Sequence, residues 1–359
     1  MTVNPQLSAD AIRLSRSGKA ILLETGITQT DGIQTRDRLL LDEKTVERLL
    51  ISLDEALLPH AAALRAQALK ALSPAAAAAG ARRGPVDAVP PLDRGGQLMA
   101  LIDAHGLTYR TERSLRMTAG QLYDQRLLVT LDRTVAGGTA WDTVVAICTA
   151  LRMPPSLLAQ AAAMFDNPHY VHFGVEIGDA GLETYKLYFE RHISAEQSQQ
   201  AAAYAEPVLL YDALKWDGPG NAGVATRYLW YPGLRQDQME ARLAAIYGAA
   251  AAEDVATLRH ILRQATARTD IANIRYIEVE EPGTARRSFD LNLYAAKFSV
   301  RAIQPYLEQI RDRQRIGPAA FQAYYDGIKL TSLGHVAGGI HRNGAAFFTL
   351  YYGGRPAGA

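Results

Sequence analysis

From residue 111 to the C-terminus, the chain contains two kinds of segment. In the shorter ones, hydrophobic and polar residues alternate with a period of two, and in the longer ones hydrophobic residues recur at helical spacing. Five pairs of period-two runs are each joined by a turn that contains glycine, a pattern typical of β-hairpins. The predicted strands are 112–119, 125–133, 170–177, 183–190, 208–216, 225–231, 273–279, 287–294, 335–340 and 346–352. Helical runs separate the hairpins, so one supersecondary unit recurs five times along the chain.

The helical runs have recognisable starts and breaks. The run over 141–165 is interrupted at Pro154 and Pro155, which predicts two shorter helices. Ser194 followed by Gln197 is a capping box and predicts a helix that ends near residue 205. Further helical runs are predicted over 235–268 and 300–329.

The pattern of the N-terminal part is different. Residues 20–24 have weak strand character, and Asp42 is a predicted N-cap for a helix over 45–58. A second helical run reaches about residue 72, and 74–92 reads as a loop rich in alanine, glycine and proline.

Ten consecutive antiparallel strands can close on themselves, which removes exposed strand edges. We therefore predict an α+β fold: a ten-stranded antiparallel β-barrel built from five αββα repeats, with the helices outside. Residues 96–359 form this barrel, and residues 1–95 form an N-terminal helical segment that packs on it. Alternate strand positions are polar, which indicates a lumen lined by polar side chains.

Composition narrows the class of protein. The 359 residues are 48% hydrophobic and 21% charged, as in a globular protein with a large core. The net charge of +1 gives no sign of a nucleic-acid partner. The single cysteine, Cys148, excludes an internal disulfide, and the N-terminus lacks a signal-peptide pattern. With no apolar run long enough to span a bilayer, we expect a soluble, cytoplasmic protein without a membrane partner.

Alternation identifies the side chains of the predicted lumen, if aliphatic residues face the helices. On the first hairpin, Glu112, Ser114 and Arg116 share the inner face, and Arg126 joins them from the second strand. The later hairpins add Tyr170, His172, Glu176, Lys186, Tyr188, Tyr211, Lys215, Tyr228, Trp230, Asp290, Asn292, Tyr294, Arg342, Thr349 and Tyr351.

These side chains combine cations, aromatic rings and a few carboxylates. Fixed Arg and Lys side chains bind a diphosphate through charge-assisted hydrogen bonds. Aromatic faces stabilise a carbocation by about 1 to 2 kcal/mol each when desolvated, and a closed lumen keeps water away from it. An ordinary barrel whose interior charges are paired for structural reasons is the alternative at this point.

The sequence contains no convincing motif for binding a metal ion or a dinucleotide. His169, His172 and Glu176 have ligand-like spacing, but strand residues three apart face opposite ways, so no metal site is expected. The chain has no Asp-Asp-x-x-Asp cluster for magnesium-bound diphosphate. Residues 218–223 fit G-x-G-x-x-G but join two strands, as a hairpin loop does. His335 is interpreted as structural.

Four leucine-centred triplets recur near the ends of hairpin strands: Lys186-Leu-Tyr188, Tyr228-Leu-Trp230, Asn292-Leu-Tyr294 and Thr349-Leu-Tyr351. With Glu112-Arg-Ser-Leu-Arg-Met and Gln125-Arg-Leu-Leu-Val129, they resemble the aromatic prenyltransferases of the αββα-barrel class, of the dimethylallyltryptophan synthase type. The resemblance covers residue 101 to the C-terminus. The second triplet departs from the family pattern, because the family has a cation at the position that Tyr228 occupies in this chain.

The resemblance implies roles for the matching residues. Glu112 would be the catalytic residue, in contact with the indole nitrogen. The diphosphate-binding residues would be Arg126, Lys186, Lys215 and Arg342. The residues that shield the cation and bind substrate would be Tyr188, Tyr228, Trp230, Asn292, Tyr294, Thr349 and Tyr351.

The function implied is the transfer of a dimethylallyl group from dimethylallyl diphosphate to an indole acceptor, tryptophan or a derivative. We expect no metal and no cofactor, since the prenyl diphosphate is a co-substrate. The expected partners are the two small molecules, and the protein is a monomer or homodimer. The alternatives are a phenolic acceptor, a longer prenyl donor, a non-catalytic barrel that binds an aromatic ligand, and a repeat protein with a dry lumen.

Overall fold

The structure is a computed structural model that describes residues 11–17, 20–29, 32–41, 94–132, 140–178, 181–217, 223–248 and 251–356. The chain divides into two compact units, Met1–Pro90 and Pro91–Gly358. In the first unit, one antiparallel sheet contains β1 (Ala11–Ser17), β2 (Ala20–Gln29) and β3 (Gly32–Leu41). The weak strand signal at 20–24 therefore belongs to a longer strand. The helices predicted between residues 45 and 72 lie outside the described residues, and the packing of 1–95 on the barrel stays a prediction.

In the second unit, a closed barrel follows the predicted hairpins. Its strands are β4 (Tyr109–Thr118), β5 (Gln121–Tyr123), β6 (Arg126–Asp132), β7 (Tyr170–Ile177), β8 (Glu183–Glu190), β9 (Val208–Asp217), β10 (Val224–Trp230), β11 (Arg275–Glu280), β12 (Arg287–Asn292), β13 (Leu333–Ile340) and β14 (Ala346–Pro356). Successive strands from β6 to β14 pair in chain order, β4 pairs with β6, and β14 pairs with β4, which closes ten antiparallel strands. Within the described residues, the short β5 pairs with the end of β4 alone. The predicted barrel is confirmed.

Helices connect the hairpins, as predicted. Those in the described residues are α1 (Arg94–Asp103), α2 (Ala140–Ala150), α3 (Pro155–Met164), α4 (Ala195–Tyr204), α5 (Gln236–Tyr247), α6 (Ala252–Thr266), α7 (Gln304–Arg313) and α8 (Pro318–Ile328). Pro154 and Pro155 separate α2 from α3. The capping box also forms, because Ser194 Oγ accepts from the Gln197 backbone N–H, and the Gln197 side chain accepts from Ser194 N–H. Short 3₁₀ helices lie at Ile271–Asn273, Tyr294–Ala296 and Val300–Ile303.

Alternation along the strands separates an outer face from the lumen. On β4, Leu115 and Met117 are buried in the outer core, whereas Arg116 between them faces inward. The outer core has two clusters, one around Phe173 and Trp216 and the other around Phe289 and Phe321. Each such buried side chain contributes about 1.5 to 3 kcal/mol relative to exposure, so the barrel wall has a firm outer support.

Cys148 lies on α2 in the outer core, where burial raises the pKa of its thiol to about 12, as expected of a structural cysteine. No helix within the described ranges is long and apolar enough to cross a membrane.

Candidate functional site in the barrel lumen

Three cations from three strands surround one carboxylate at the end of the lumen where the hairpin turns lie. Lys186 Nζ on β8 donates to Glu176 Oε2 on β7 over 2.8 Å, and Arg126 on β6 pairs with the same oxygen. Arg116 Nη1 on β4 is 4.0 Å from Glu176 Oε1. Arg126 Nε also donates to Ser114 Oγ over 2.9 Å, which fixes its guanidinium. We call Arg116, Arg126 and Lys186 the cationic cluster.

The cationic cluster keeps Glu176 ionised. Burial alone would raise the pKa of this carboxyl, but Arg126, Lys186 and Arg116 together lower the pKa well below its usual value. Burial and the positive charge of both arginines lower the pKa of Lys186 to about 7, against the opposing attraction of Glu176. One carboxylate therefore faces three cationic groups, and the cluster has capacity for a further anion.

Lys215 extends this cationic end of the lumen. It lies directly opposite Lys186 in the pairing of β8 with β9, so the two side chains project from the same face of the wall. Burial, followed by the charges of Arg286 and Lys186, lowers the pKa of Lys215 well below its usual value. The predicted diphosphate residues Arg126, Lys186 and Lys215 are thus brought together.

Tyrosine rings form the wall next to the cations. The rings of Tyr188, Tyr211 and Tyr228 pack edge to face, with centroids 5.5 to 6.5 Å apart. Each ring is enclosed by protein yet keeps some accessible surface, as side chains that line an internal cavity do. Burial raises the pKa of all three hydroxyls, so the rings are neutral at physiological pH. Tyr351 lies opposite Ser114, the residue that accepts the Arg126 hydrogen bond, which joins this wall to the cationic cluster.

Glu112 lies deeper in the lumen, away from the hairpin turns. The Tyr294 hydroxyl, just after β12, donates to Glu112 Oε1. His335 on β13 binds Asp290 on β12, with Nδ1 and Oδ1 2.6 Å apart, and its ring meets the Tyr294 ring edge-on at 5.4 Å. Glycine is needed at Gly334, because a Cβ there would collide with Glu112 Oε1 and the Tyr294 ring. Among the described residues only Oε1 of Glu112 has a hydrogen-bond partner, which leaves Oε2 for a ligand.

Charges around Glu112 oppose the effect of its burial. Burial raises the pKa of Glu112 above its usual value, whereas His335 and the Tyr294 hydroxyl act to lower it. Burial would lower the pKa of His335, but Asp290, with help from Glu112, raises that pKa to about 9. The imidazole is therefore protonated at neutral pH, and its positive charge favours the ionised form of Glu112.

Three further residues predicted to shield the cation or bind substrate have partners within the protein. Thr349 is buried in the wall, where its Oγ1 lies 3.4 Å from Arg116 Nε. Asn292 Oδ1 accepts from the Tyr294 backbone N–H at 3.2 Å. The ring of Trp230 lies under the Arg275 guanidinium, 5.2 Å from its centroid. These residues belong to the lumen wall or its support.

Arg342 is not brought to the other cations. It lies in the turn between β13 and β14, where 55% of its side chain is exposed and it pairs with Glu281 of the β11–β12 turn. Its predicted contact with a diphosphate therefore has no support from its position.

Sequence reasoning gave no role to His335, Arg286 or Glu176. The sequence context of His335 predicts a structural role, but its side chain faces the lumen beside Glu112, a position that follows from its pairing with Asn292. Arg286 precedes β12 in the turn and was not placed on any face. Glu176 was placed on the inner face, and only the strand register reveals it as the anion shared by the cationic cluster.

The histidines considered as metal ligands have other partners. His172 Nδ1 is 2.9 Å from Thr130 Oγ1 and its Nε2 is 3.1 Å from Glu190 Oε2, whereas the ring of His169 contacts those of Tyr170 and His192. In the part of the chain that the structure describes, no group of three or more His, Cys, Asp or Glu side chains is placed to hold a metal ion.

No protein-family model matches the chain, and no curated protein matches it by sequence. Solved structures with a similar chain path include 5-dimethylallyltryptophan synthase from Streptomyces coelicolor, at 13% identity and a TM-score of 0.49, covering 86% of this chain and 96% of that one. Another is prenyltransferase PriB, solved with L-tryptophan and dimethylallyl thiolodiphosphate, at 15% identity and a TM-score of 0.47, covering 86% and 95%. A third is AnaPT from Neosartorya fischeri, at 11% identity and a TM-score of 0.40, covering 67% and 77%. So distant a likeness assigns no activity to this chain, and the case for function rests on its own side chains.

Proposed function

We propose that this chain is an aromatic prenyltransferase that transfers a dimethylallyl group from dimethylallyl diphosphate to an indole acceptor, tryptophan or a derivative. One observation carries the proposal: a closed lumen holds a cationic cluster at one end, a tyrosine wall beside it and the Glu112 carboxyl deeper inside. Each part fits one component of the reaction. The cations suit a diphosphate, the rings suit an allylic cation, and the carboxyl suits an acceptor N–H.

The reaction begins when the C–O bond of the donor breaks and its electron pair leaves with the diphosphate. Lys186 and Arg126 stabilise the negative charge that develops on the diphosphate through charge-assisted hydrogen bonds. The dimethylallyl cation left behind lies against the faces of Tyr188 and Tyr228, each of which contributes about 1 to 2 kcal/mol when water is excluded. Enclosure by the barrel limits the attack of water on this cation.

The acceptor ring then attacks the cation, and a new carbon–carbon or carbon–nitrogen bond forms. Glu112 Oε2 accepts the indole N–H, which raises the electron density of the ring and fixes its orientation. Loss of a proton from the alkylated ring restores aromaticity, and the Glu112 carboxylate helps to accept that proton. The products are the prenylated indole, diphosphate and one proton.

Lys and Arg, without a resident metal ion, are proposed to hold the donor. Prenylation of a phenol, use of a longer donor, and binding of an aromatic ligand without catalysis are the competing outcomes of the test. A phenol would offer its O–H to Oε2 in place of the indole N–H, so the acceptor panel of the test decides between the two classes of acceptor.

The test uses the purified full chain with dimethylallyl or geranyl diphosphate and parallel panels of indoles and phenols. We expect mass spectrometry to detect one added dimethylallyl group on an indole, with release of one diphosphate per product. Product only with phenols would remove the role proposed for Glu112. Binding of both ligands by calorimetry without any product would make the chain a non-catalytic binder.

A further inference from the structure

A second carboxylate, Glu190 at the end of β8, lies in the part of the lumen away from the hairpin turns. Tyr170 on β7 and Tyr211 on β9 lie directly opposite it on the two neighbouring strands, so the three side chains share the lumen face. The charge of Glu190 acts on the Tyr211 hydroxyl and on the His335 imidazole, which lies beside Glu112. Glu190 therefore faces the same space as Glu112, from another part of the barrel wall.

One oxygen of this carboxylate is held by a histidine. Glu190 Oε2 is 3.1 Å from His172 Nε2, and Nδ1 of the same ring is 2.9 Å from Thr130 Oγ1. An ionised carboxylate only accepts hydrogen bonds, so Nε2 carries the proton, and the ring fixes the orientation of Glu190. Among the residues that the structure describes, Oε1 of Glu190 has no hydrogen-bond partner. Because the side chain is 14% exposed, this second oxygen is open to the lumen.

Glu190 carries a negative charge at neutral pH. Burial would raise the pKa of this carboxyl, but the hydrogen bond from His172, with the charges of His172, Arg275 and His169, lowers the pKa below its usual value. Arg275 acts from a distance: its guanidinium lies over the Trp230 ring, 5.2 Å from the centroid, and its side chain is exposed to screening by solvent. Buried charges are normally paired, so an ionised carboxylate with an unused oxygen at a lumen wall indicates a ligand with donors.

The groups around the unused oxygen match an ammonium ion. A carboxylate oxygen accepts a charge-assisted hydrogen bond from an ammonium, and neighbouring aromatic rings add cation–π attraction. Tyr170 and Tyr211 supply rings on both sides of Glu190, and Tyr211 also packs against Tyr228 of the tyrosine wall, with ring centroids 5.5 Å apart. A neutral group would leave the charge of Glu190 unbalanced, and a second carboxylate would be repelled by it.

We propose that Glu190 selects the acceptor by binding the protonated amine of an indole-3-ethylamine side chain, while Glu112 receives the ring N–H. The side chain of such an indole leaves the ring at carbon 3, which directs the amine away from Glu112. The substrate class is then an indole with a free amine, because an acylated amine, as in a peptide bond, carries no charge. A carboxylate on the same side chain would meet Arg275, so an α-amino acid also fits. This assignment rests on the proposed function.

The test compares the binding of three indoles to the full chain by calorimetry, with inorganic diphosphate present. Tryptamine carries the ammonium, indole-3-ethanol has nearly the same shape with a neutral hydroxyl, and N-acetyltryptamine has an acylated amine. We expect the wild-type chain to bind tryptamine about ten- to a hundredfold more tightly than either neutral indole, since one charged hydrogen bond is at stake. Glu190→Gln can still accept the hydrogen bond from His172 but carries no charge, so the preference for tryptamine should be lost.

The matched control is Glu196→Gln, because Glu196 is exposed on α4 and should leave the preference unchanged. Thermal unfolding checks the fold of each variant, and binding of inorganic diphosphate checks the cationic cluster. The wild-type comparison of tryptamine with indole-3-ethanol tests the proposal even if Glu190→Gln does not fold. Equal affinities for these two indoles in the wild type, binding of neither, or an unchanged preference in Glu190→Gln would overturn the assignment.

The outcomes also separate this assignment from the proposed function. A preference for tryptamine that Glu190→Gln removes, without prenylation of any acceptor, sustains the ammonium site and rejects the transferase. Prenylation of indoles without any preference for the free amine rejects the ammonium site alone.

Discussion

Glu112→Gln is the substitution that tests the role proposed for this carboxyl in the prenylation of indoles. Glutamine has nearly the same shape as glutamate, and its carbonyl oxygen can still accept the hydrogen bond from Tyr294. It can neither carry a negative charge nor accept a proton at the position of Oε2. The packing around Gly334 therefore stays the same while the chemistry of this one group changes.

Two losses contribute to the expected effect. A hydrogen bond from an N–H to an ionised acceptor is worth about 1.5 to 3 kcal/mol, and replacing the acceptor with a neutral amide forfeits part of that. Removal of a general base costs about a hundredfold or more in rate. Because both losses fall on the same step, we expect turnover of indoles to fall by at least about a hundredfold. Binding of the donor should not change, since Glu112 does not touch the cationic cluster.

The assay is a time course of prenylated product with dimethylallyl diphosphate and an indole acceptor, read by mass spectrometry. Calorimetry with inorganic diphosphate checks the donor site, and thermal unfolding checks the fold. Glu196→Gln is the matched control, because Glu196 is an exposed glutamate on α4 with no part in the lumen. Indole turnover in Glu112→Gln within a few-fold of that of the control would refute the role of the carboxylate.

Four further predictions concern the groups around these sites. His335→Gln removes the positive charge beside Glu112, so the pKa of Glu112 should rise further and the acid limb of the pH–rate profile should move to higher pH; an unmoved limb counts against this coupling. Lys186→Ala should weaken diphosphate binding about ten- to a hundredfold by calorimetry, and because its pKa is about 7, wild-type affinity should fall relative to Lys186→Arg as pH rises through that value. Gly334→Ala should displace Glu112 and lower kcat for indoles with diphosphate affinity unchanged. Turnover should persist in excess EDTA, and loss that magnesium restores would contradict binding of the donor by Lys and Arg alone.

The fold could be predicted from local pattern because each hairpin repeats the same alternation and turn signals. Strand ends could not, because pairing with distant residues decides them. The beginning of β4, for example, is held by the pairing of Arg110 with Pro356, which follows a bulge in β14 between Tyr352 and Arg355. In the N-terminal unit, only part of β2 was predicted, because partner strands decide whether polar segments such as β1 and β3 pair.

The candidate site was predictable only as far as alternation holds. The alternation of side chains correctly predicts that Glu112, Lys186 and Tyr228 face the lumen. It does not predict that three cations share Glu176, because that depends on the register of neighbouring strands. His335 shows where the rule fails. Leu333 is buried in the outer core, and a count of two would put His335 on that side as well. A bulge between them shifts the register, so His335 faces the lumen instead.

For the proposed reaction, the depth of each group in the lumen sets the direction in which the two substrates would lie. On β4, Glu112 and Arg116 are four residues apart, so about 13 Å of strand separates the carboxyl from the cationic end. Ionisation of a prenyl diphosphate separates a negative leaving group from a positive allyl group. Cations at the turn end stabilise that separation only if the diphosphate lies there and the allyl group points inward. The acceptor must then meet the allyl cation from the side of Glu112, where the carboxyl and not a cation receives its N–H.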